Sequence, residues 1–159
     1  RKDLIARIRR HPLKRALRVP KMTLAALEAT LLAYRRPDRL AGELPTLRLL
    51  TRPLEDLQAL AARLAPALAS TLGAGWHVEV AESTAQAGSG SLPDQAIASV
   101  ALALSPAGRS SGKALADMAA QLRGLPVPVI GRIAEGRLLL DLRCLEDEAG
   151  FLAQLEHLA

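Results

Sequence analysis

The stretch VPVIGRIAEGRLLLDLR, residues 127–143, says most about the architecture of this chain. Two runs rich in aliphatic residues, 127–133 and 137–143, flank the short loop Ala134-Glu135-Gly136. Such runs are typical of strands, and a glycine that tolerates a positive φ suits a tight turn between them. We therefore predict a β-hairpin, which requires antiparallel strand pairing.

Further strands and helices surround this hairpin. Alternation of apolar and polar residues predicts strands at 76–82 and 97–104. Apolar residues at helical spacing predict helices over 3–10, 23–36, 51–73, 110–124 and 146–158. This order of elements predicts an α+β fold, in which helices cover one side of a small, mainly antiparallel sheet.

Local signals set the ends of the first helices. The residue before a proline avoids the α region, so His11-Pro12 should end the first helix. Thr23 is a suitable N-cap for the second helix, and a loop over 37–45 should follow it. Gly73 should end the third helix.

Charge is distributed unevenly along the chain. Residues 1–53 hold 14 of the 21 Lys and Arg residues and only 4 of the 16 acids. This asymmetry indicates an anionic partner near the N-terminal segment. Since the few aromatic residues, Tyr34, Trp76 and Phe151, do not interleave with the basic run, we do not expect base-specific reading of RNA.

Composition predicts one globular domain with a real core, because 159 residues are 50% hydrophobic. Apolar runs end before the ~20 residues that cross a bilayer, so we expect no membrane association. A single cysteine, Cys144, allows no internal disulfide and is compatible with the cytoplasm. The opening RKDLIARIRR lacks an initiator Met, and we expect a fragment of a longer protein.

Most motifs of catalytic chemistry are absent from the sequence. It contains no CxxC, HExxH, GxSxG or P-loop, and His11, His77 and His157 are scattered. We therefore predict no metal site and no self-contained enzyme.

Two weaker motifs leave alternatives open. GSGSLP, residues 88–93, is either a phosphate cradle or, as we favour, a glycine-rich connecting loop. Arg132 is either a bidentate ligand of a carboxylate or a surface arginine beside Asp141 across the hairpin.

The basic segment, HPLKRALRVPK at residues 11–21, is the strongest candidate for binding. A charge cluster is ordinarily a solvated helix face. However, Arg15 and Arg18 are three residues apart, so one helical turn places them on the same side, where they could share a tetrahedral anion. Forked guanidinium groups suit such oxyanions.

Four blocks of the sequence carry a resemblance to a known family. In chain order they are HPLKRALRVPKMTLAALEATL, LPTLRLLTRP, GSGSLP and PVPVIGRIAEGRLLLDLRCLEDE. Together they cover nearly all of residues 4–158, and as a set they resemble the C-terminal part of bacterial selenocysteine synthases, the L-seryl-tRNA(Sec) selenium transferases. The resemblance implies a homo-oligomeric, fold-type I enzyme that uses pyridoxal phosphate and selenophosphate to convert seryl-tRNA(Sec) into selenocysteinyl-tRNA(Sec).

The resemblance also implies roles for individual residues. Arg15 and Arg18 match the positions where the family places arginines for the selenophosphate oxyanion. His11, Lys14 and Lys21 match neighbouring positions that could support that anion or contact tRNA phosphate. By a weaker analogy with the family, Arg132 would contact the carbonyl or carboxylate of the seryl group.

The cofactor site of the family is missing. Its Schiff-base lysine belongs to a Gly-Gly-Pro-Gln segment that this chain lacks, so none of its lysines, Lys2, Lys14, Lys21 and Lys113, is assigned that role. The resemblance implies that residues 1–53 are linking helices from a missing large domain, which binds pyridoxal phosphate, and that 54–159 form the small C-terminal domain. We expect the chain alone to be inactive and to hold no catalytic residue.

Two alternatives to this function stay open. One is the C-terminal domain of a related pyridoxal phosphate lyase that acts on a small phosphorylated amino acid. The other is a non-catalytic module for oligomerisation and RNA contact, whose basic face only attracts phosphate.

Overall fold

The chain divides into two units after Arg48. A computed structural model describes residues 1–86, 96–108 and 112–158. Unit 1 is Arg1–Arg48 and unit 2 is Leu49–Ala159. Each unit is described by itself below.

Unit 1 is entirely helical. Its elements are α1 (Lys2–Arg10), a 3₁₀ turn (Pro12–Lys14), α2 (Lys21–Tyr34), α3 (Pro37–Glu43) and α4 (Pro45–Leu50), the last of which continues into unit 2. The predicted loop over 37–45 is therefore wrong. Pro37 and Pro45 start the two short helices, because proline needs no partner for its nitrogen in the first turn and its φ is already helical.

Helix α2 begins earlier than predicted and buries little of its surface. It begins at Lys21, two residues before Thr23, so Thr23 is not its cap. Pro20 is the N-cap, in an extended conformation with φ −60° and ψ 151°, and no side chain caps the first turn. Only Ala33 of this helix is buried, and its leucines are exposed.

Unit 2 contains the sheet and the remaining helices. Its elements in order are α5 (Leu54–Leu72), a 3₁₀ turn (Gly73–Gly75), β1 (Trp76–Gln86), β2 (Ala96–Pro106), α6 (Gly112–Arg123), β3 (Arg132–Ala134), β4 (Arg137–Asp141), α7 (Glu148–Gln154) and a 3₁₀ turn (Leu155–Leu158). Gly73 ends α5 with φ 63°, as predicted, because a side chain disfavours this left-handed conformation.

The four strands form one antiparallel sheet in the order β1-β2-β4-β3. The predicted hairpin is confirmed, with Ala134 opposite Arg137. Glu135 and Gly136 connect the strands with φ 51° and 72°, and a type I′ turn requires this sign at both positions. The predicted α+β fold with a mainly antiparallel sheet is thus confirmed.

Strand β3 is shorter than predicted, because residues 127–130 do not join the sheet. Pro126, just before this segment, and Pro128, within it, have no N–H to donate to a strand ladder. The amides that follow them bond elsewhere: Val127 N donates to Gln154 Oε1 at 3.1 Å and Val129 N donates to the Leu122 carbonyl at 2.9 Å.

The core of unit 2 lies between one face of the sheet and its helices. Alternate residues of β2 point to this core, as predicted for Val100, Leu102 and Leu104. The largest fully buried side chains of the described residues are Leu57, Leu64, Leu68, Leu102, Leu104, Leu115, Leu122 and Leu138. Burying one leucine contributes about 1.5–3 kcal/mol, so this set is a substantial part of the driving force for folding.

Two arginines join the start of unit 2 to the end of β4. The Arg143 side chain is buried, and its Nη1 donates to the carbonyls of Leu49, Leu50 and Arg52 at 3.0–3.2 Å. Arg52 Nη1 reciprocates by donating to three carbonyls, those of Leu142, Arg143 and Leu145. Backbone oxygens therefore accept from a buried guanidinium that has no carboxylate partner in the described part of the chain, while its Nε makes no hydrogen bond there.

Candidate anion-binding sites

The basic segment, residues 11–21, folds into tight turns between α1 and α2. His11 has left the helical region, with φ −71° and ψ 132°, as expected before proline. Its Nδ1 accepts a hydrogen bond from Leu13 N at 3.2 Å, and Lys14 N donates to the His11 carbonyl at 3.1 Å. Since Nδ1 is occupied as an acceptor, Nε2 is the ring atom left to donate to a ligand.

The two arginines of this segment are one turn apart. Arg15 is helical, with φ −70° and ψ −39°, and its carbonyl accepts from Arg18 N at 3.4 Å. Residues i and i+3 lie nearly above one another in a turn of this kind. Both side chains are exposed, and neither makes a hydrogen bond or ion pair with the described residues.

The N-terminus of α2 follows directly and adds further positive potential. Its first intrahelical bond runs from Leu24 N to the Pro20 carbonyl, so the amides of residues 21–23 have no partner within the helix. No side chain caps them, and Lys21 adds a positive charge where the helix dipole is already positive. An anion here would relieve both effects.

Few acids neutralise unit 1. It holds 13 Lys and Arg residues and 4 acids. Asp3 pairs with Arg1 at 2.9 Å, and the hydrogen bond from Arg1 lowers the pKa of the Asp3 carboxyl. Glu43 pairs with Arg36 at 3.0 Å. Both pairs lie outside the basic segment, so the charge of that segment is available to a ligand.

A second candidate site lies in unit 2 around Arg132. Arg132 stands opposite Leu139 in the hairpin, and its Nη2 donates to Ser83 Oγ at 3.2 Å. Arg132 is exposed, as in the alternative of a surface arginine beside Asp141, but it makes no ion pair with that acid in the described residues. Arg132 lines a cleft of about 550 Å³, together with Gln58, Thr84, Ser99 and Arg137.

Asp141 instead accepts hydrogen bonds from neighbouring strands. Ser83 Oγ and Ser99 Oγ each donate to its carboxylate at 2.8 Å, and Arg143 N donates at 3.0 Å. No local sequence pattern assigns a role to the two serines. The one sequence signal for these serines is their position on the polar face of two strands, but only the observed register brings them to Asp141.

The structure gives less support to the remaining candidate sites from the sequence. GSGSLP lies outside the described residues. Cys144 is free and exposed. The described ranges contain no group of His, Cys, Asp and Glu side chains that could hold a metal ion, and no helix in them combines the length and apolar character needed to cross a membrane.

The lysines of the chain do not fit a Schiff base with pyridoxal phosphate. Such a lysine needs a desolvated site that lowers its pKa. Lys2, Lys14, Lys21 and Lys113 are all exposed. The residues present therefore do not form the cofactor site of a pyridoxal phosphate enzyme.

The fold and the charge distribution define the class: an α+β domain that follows a basic helical segment. The family model "L-seryl-tRNA selenium transferase", SelA, matches residues 1–146. The chain belongs to the SelA family.

Individual relatives agree with this assignment. The L-seryl-tRNA(Sec) selenium transferases of Escherichia coli O139:H28 and of Shigella boydii serotype 18 are each 56% identical to it over 156 residues. The matches cover 98% of this chain and 33% of each relative. The chain therefore spans about a third of the length of the curated relatives it matches.

Proposed function

We propose that this chain is the C-terminal part of an enzyme that converts L-seryl-tRNA(Sec) into L-selenocysteinyl-tRNA(Sec), with selenophosphate as the selenium donor. One observation carries the proposal: 56% identity across 98% of the chain to selenium transferases of that name. The proposal includes a homo-oligomeric enzyme in the cytoplasm, with tRNA(Sec) as its macromolecular substrate. Residues outside this chain would bind pyridoxal phosphate in a fold-type I large domain.

In this proposal the basic segment binds the selenium donor. Arg15 and Arg18 would hold the oxygens of selenophosphate, because their guanidinium groups are exposed, unpaired within the described residues and one turn apart. The uncapped N-terminus of α2 favours the same charge. His11, Lys14 and Lys21 would support this anion or contact tRNA phosphate.

Arg132 would contact the carbonyl or carboxylate oxygen of the seryl group. Its support is geometric: a single hydrogen bond, to Ser83, leaves Nε and Nη1 free of partners in the described chain, beside a cleft. The division of labour is then an anion contact from residues 1–53 and a substrate contact from residues 54–159. No described residue is placed to make or break bonds, so the chain alone should be inactive.

The arginine assignment is tested in the full-length enzyme. We expect Arg15→Ala and Arg18→Ala each to raise the KM for selenophosphate about 10- to 100-fold, as for the loss of a charge-assisted contact of about 1.5–3 kcal/mol. Arg39→Ala is the matched control, since Arg39 is an exposed arginine of unit 1 outside the basic segment. Selenium transfer to seryl-tRNA(Sec) would be measured at varied donor concentrations.

The result also separates this proposal from a non-catalytic RNA-contact role. Unchanged donor KM with normal turnover in both variants rules out the anion site. If instead tRNA affinity falls and depends less steeply on salt, the segment attracts tRNA phosphate rather than the donor.

A further inference from the structure

The sheet face opposite to the core carries a connected polar cluster with one residue from each strand. Its members are Ser83 of β1, Ser99 of β2, Arg132 of β3 and Asp141 of β4. Both serines are buried, with 8% and 2% of their surface exposed. Buried hydroxyls and carboxylates are costly unless each finds a partner, so the connections within the cluster can be followed atom by atom.

The carboxylate of Asp141 fixes the direction of the Ser83 hydroxyl. Asp141 Oδ1 accepts from Ser99 Oγ and Arg143 N, and Oδ2 accepts from Ser83 Oγ. An ionised carboxylate only accepts, so the single hydrogen of Ser83 points to Asp141. The lone pairs of Ser83 Oγ are then left for Arg132 Nη2, which donates to it at 3.2 Å.

This arrangement orients Arg132 without neutralising it. In a bidentate ion pair with Asp141, two N–H donors and the positive charge of the guanidinium would be used within the protein. With the neutral Ser83 between them, Arg132 gives up one donor, while Nε and Nη1 make no hydrogen bond in the described part of the chain. Holding a long side chain in advance also lowers the entropy cost of binding a ligand.

We propose that Ser83, Ser99 and Asp141 are positioning residues, which hold Arg132 ready to bind the ester carbonyl oxygen of the aminoacyl substrate in the adjoining cleft. This rests on the role given to Arg132 under the proposed function. In this role the three residues act through Arg132, although two of them, Ser83 and Ser99, also line the cleft. They act by fixing the rotamer of Arg132 at the wall of the 550 Å³ cleft.

The test is a double-mutant cycle in the full-length enzyme with seryl-tRNA(Sec) and selenophosphate. Ser83→Ala and Asp141→Asn should each lower kcat/KM for seryl-tRNA(Sec) about tenfold, as expected for coupled neighbours. The KM for selenophosphate should not change. Asp141→Asn should act in the same way as Ser83→Ala. The amide nitrogen of the asparagine would face Ser83 and donate to Ser83 Oγ, the atom that otherwise accepts from Arg132.

The Arg132→Ala background gives the decisive comparison. There, Ser83→Ala should cause no further loss of kcat/KM beyond about twofold. An equal tenfold loss in that background overturns the proposal, since the serine would then act without Arg132. Ser83→Thr retains the hydroxyl and should restore kcat/KM. A loss of folding in Ser83→Ala would instead lower kcat/KM equally in the Arg132→Ala background.

Two controls separate this inference from the proposed function. Ser105→Ala, on the same strand as Ser99 and without a hydrogen bond from its side chain to described residues, should leave kcat/KM unchanged. If Arg132→Ala has no effect on kcat/KM, both the substrate contact and the positioning role are wrong. If Arg132→Ala lowers it and Ser83→Ala does not, only the positioning role fails.

Discussion

Unit 1 leaves its apolar side chains exposed, whereas unit 2 buries most of its own around a sheet. Of the 17 large apolar residues that are exposed in the described chain, 12 lie in residues 1–48. Ala33 is the one buried residue of that unit. Unit 1 also has 13 basic residues against 4 acids, and unit 2 has 8 against 12.

This difference teaches where the stability and the ligand contacts of the chain reside. A folded unit must bury enough apolar surface to offset the entropy of ordering its backbone, and unit 1 does not do so by itself. Its exposed leucines and free arginines suit a segment completed by the rest of a larger enzyme. Unit 2 has its own core and should fold alone.

The largest expected effect compares one leucine in each unit. Leu64→Ala should destabilise the 159-residue chain by about 2–5 kcal/mol, because Leu64 is fully buried and its truncation leaves a cavity. Leu27→Ala, at an exposed site of α2, should change the free energy of unfolding by no more than about 0.5 kcal/mol. Urea unfolding followed by circular dichroism measures both. A similar cost at the two positions would show that unit 1 has a core after all.

A pair of glycines gives the next effect. A Cβ at Gly131 would lie 2.7 Å from a methyl of Leu140, 2.8 Å from one of Leu138 and 2.9 Å from the Leu139 carbonyl. Gly131→Ala should therefore cost about 1–3 kcal/mol by overpacking. Gly42→Ala in α3 meets nothing within 4 Å and should not lower the melting temperature. Equal melting temperatures for the two variants would contradict the close packing of Gly131 on β4.

The smallest effect is a pH dependence from surface carboxylates. Arg63 Nε and Nη2 donate to both oxygens of Glu148 at 2.9 and 2.8 Å, which joins α5 to α7. These hydrogen bonds lower the pKa of Glu148 below its ordinary value and raise that of Arg63. Because the folded-state pKa is depressed, the stabilisation is present above the ordinary glutamate pKa and is lost as pH falls through the folded-state value.

The acid of unit 1 provides the comparison for that titration. The hydrogen bond from Arg1 lowers the pKa of Asp3 in the same way, but within a unit that lacks a core. We expect Glu148→Gln to flatten the acid dependence of unfolding slightly and Asp3→Asn to leave it unchanged. Melting curves between about pH 3 and pH 7, a range that includes the ordinary carboxyl pKa values, measure both effects. A similar flattening by both substitutions would show that unit 1 unfolds together with unit 2.

How far the sequence predicts the molecule depends on the range of each interaction. The hairpin at 127–143 follows from local signals, since Glu135 and Gly136 supply the turn and the flanking runs supply the strands. Helices α3 and α4 do not follow from the sequence pattern, because Pro37 and Pro45 read as breaks but serve as the first helical residues.

The Asp141 cluster could not be predicted from local patterns. Ser83 is 58 residues from Asp141 in sequence and Ser99 is 42, so only the register of three strands unites them. Arg143 donates to the Leu50 carbonyl 93 residues away. Arg15 and Arg18, by contrast, are local to one turn, in which Arg18 N donates to the Arg15 carbonyl, and their shared anion stays a prediction.

Hydrogen–deuterium exchange of the isolated 159-residue chain tests the central claim most directly, namely that unit 2 folds alone and unit 1 does not. Amides of β2 should be protected to the level of global unfolding, whereas those of α2 should exchange within seconds. In the full-length enzyme, α2 should become protected. Equal protection of α2 and β2 in the isolated chain would contradict the account.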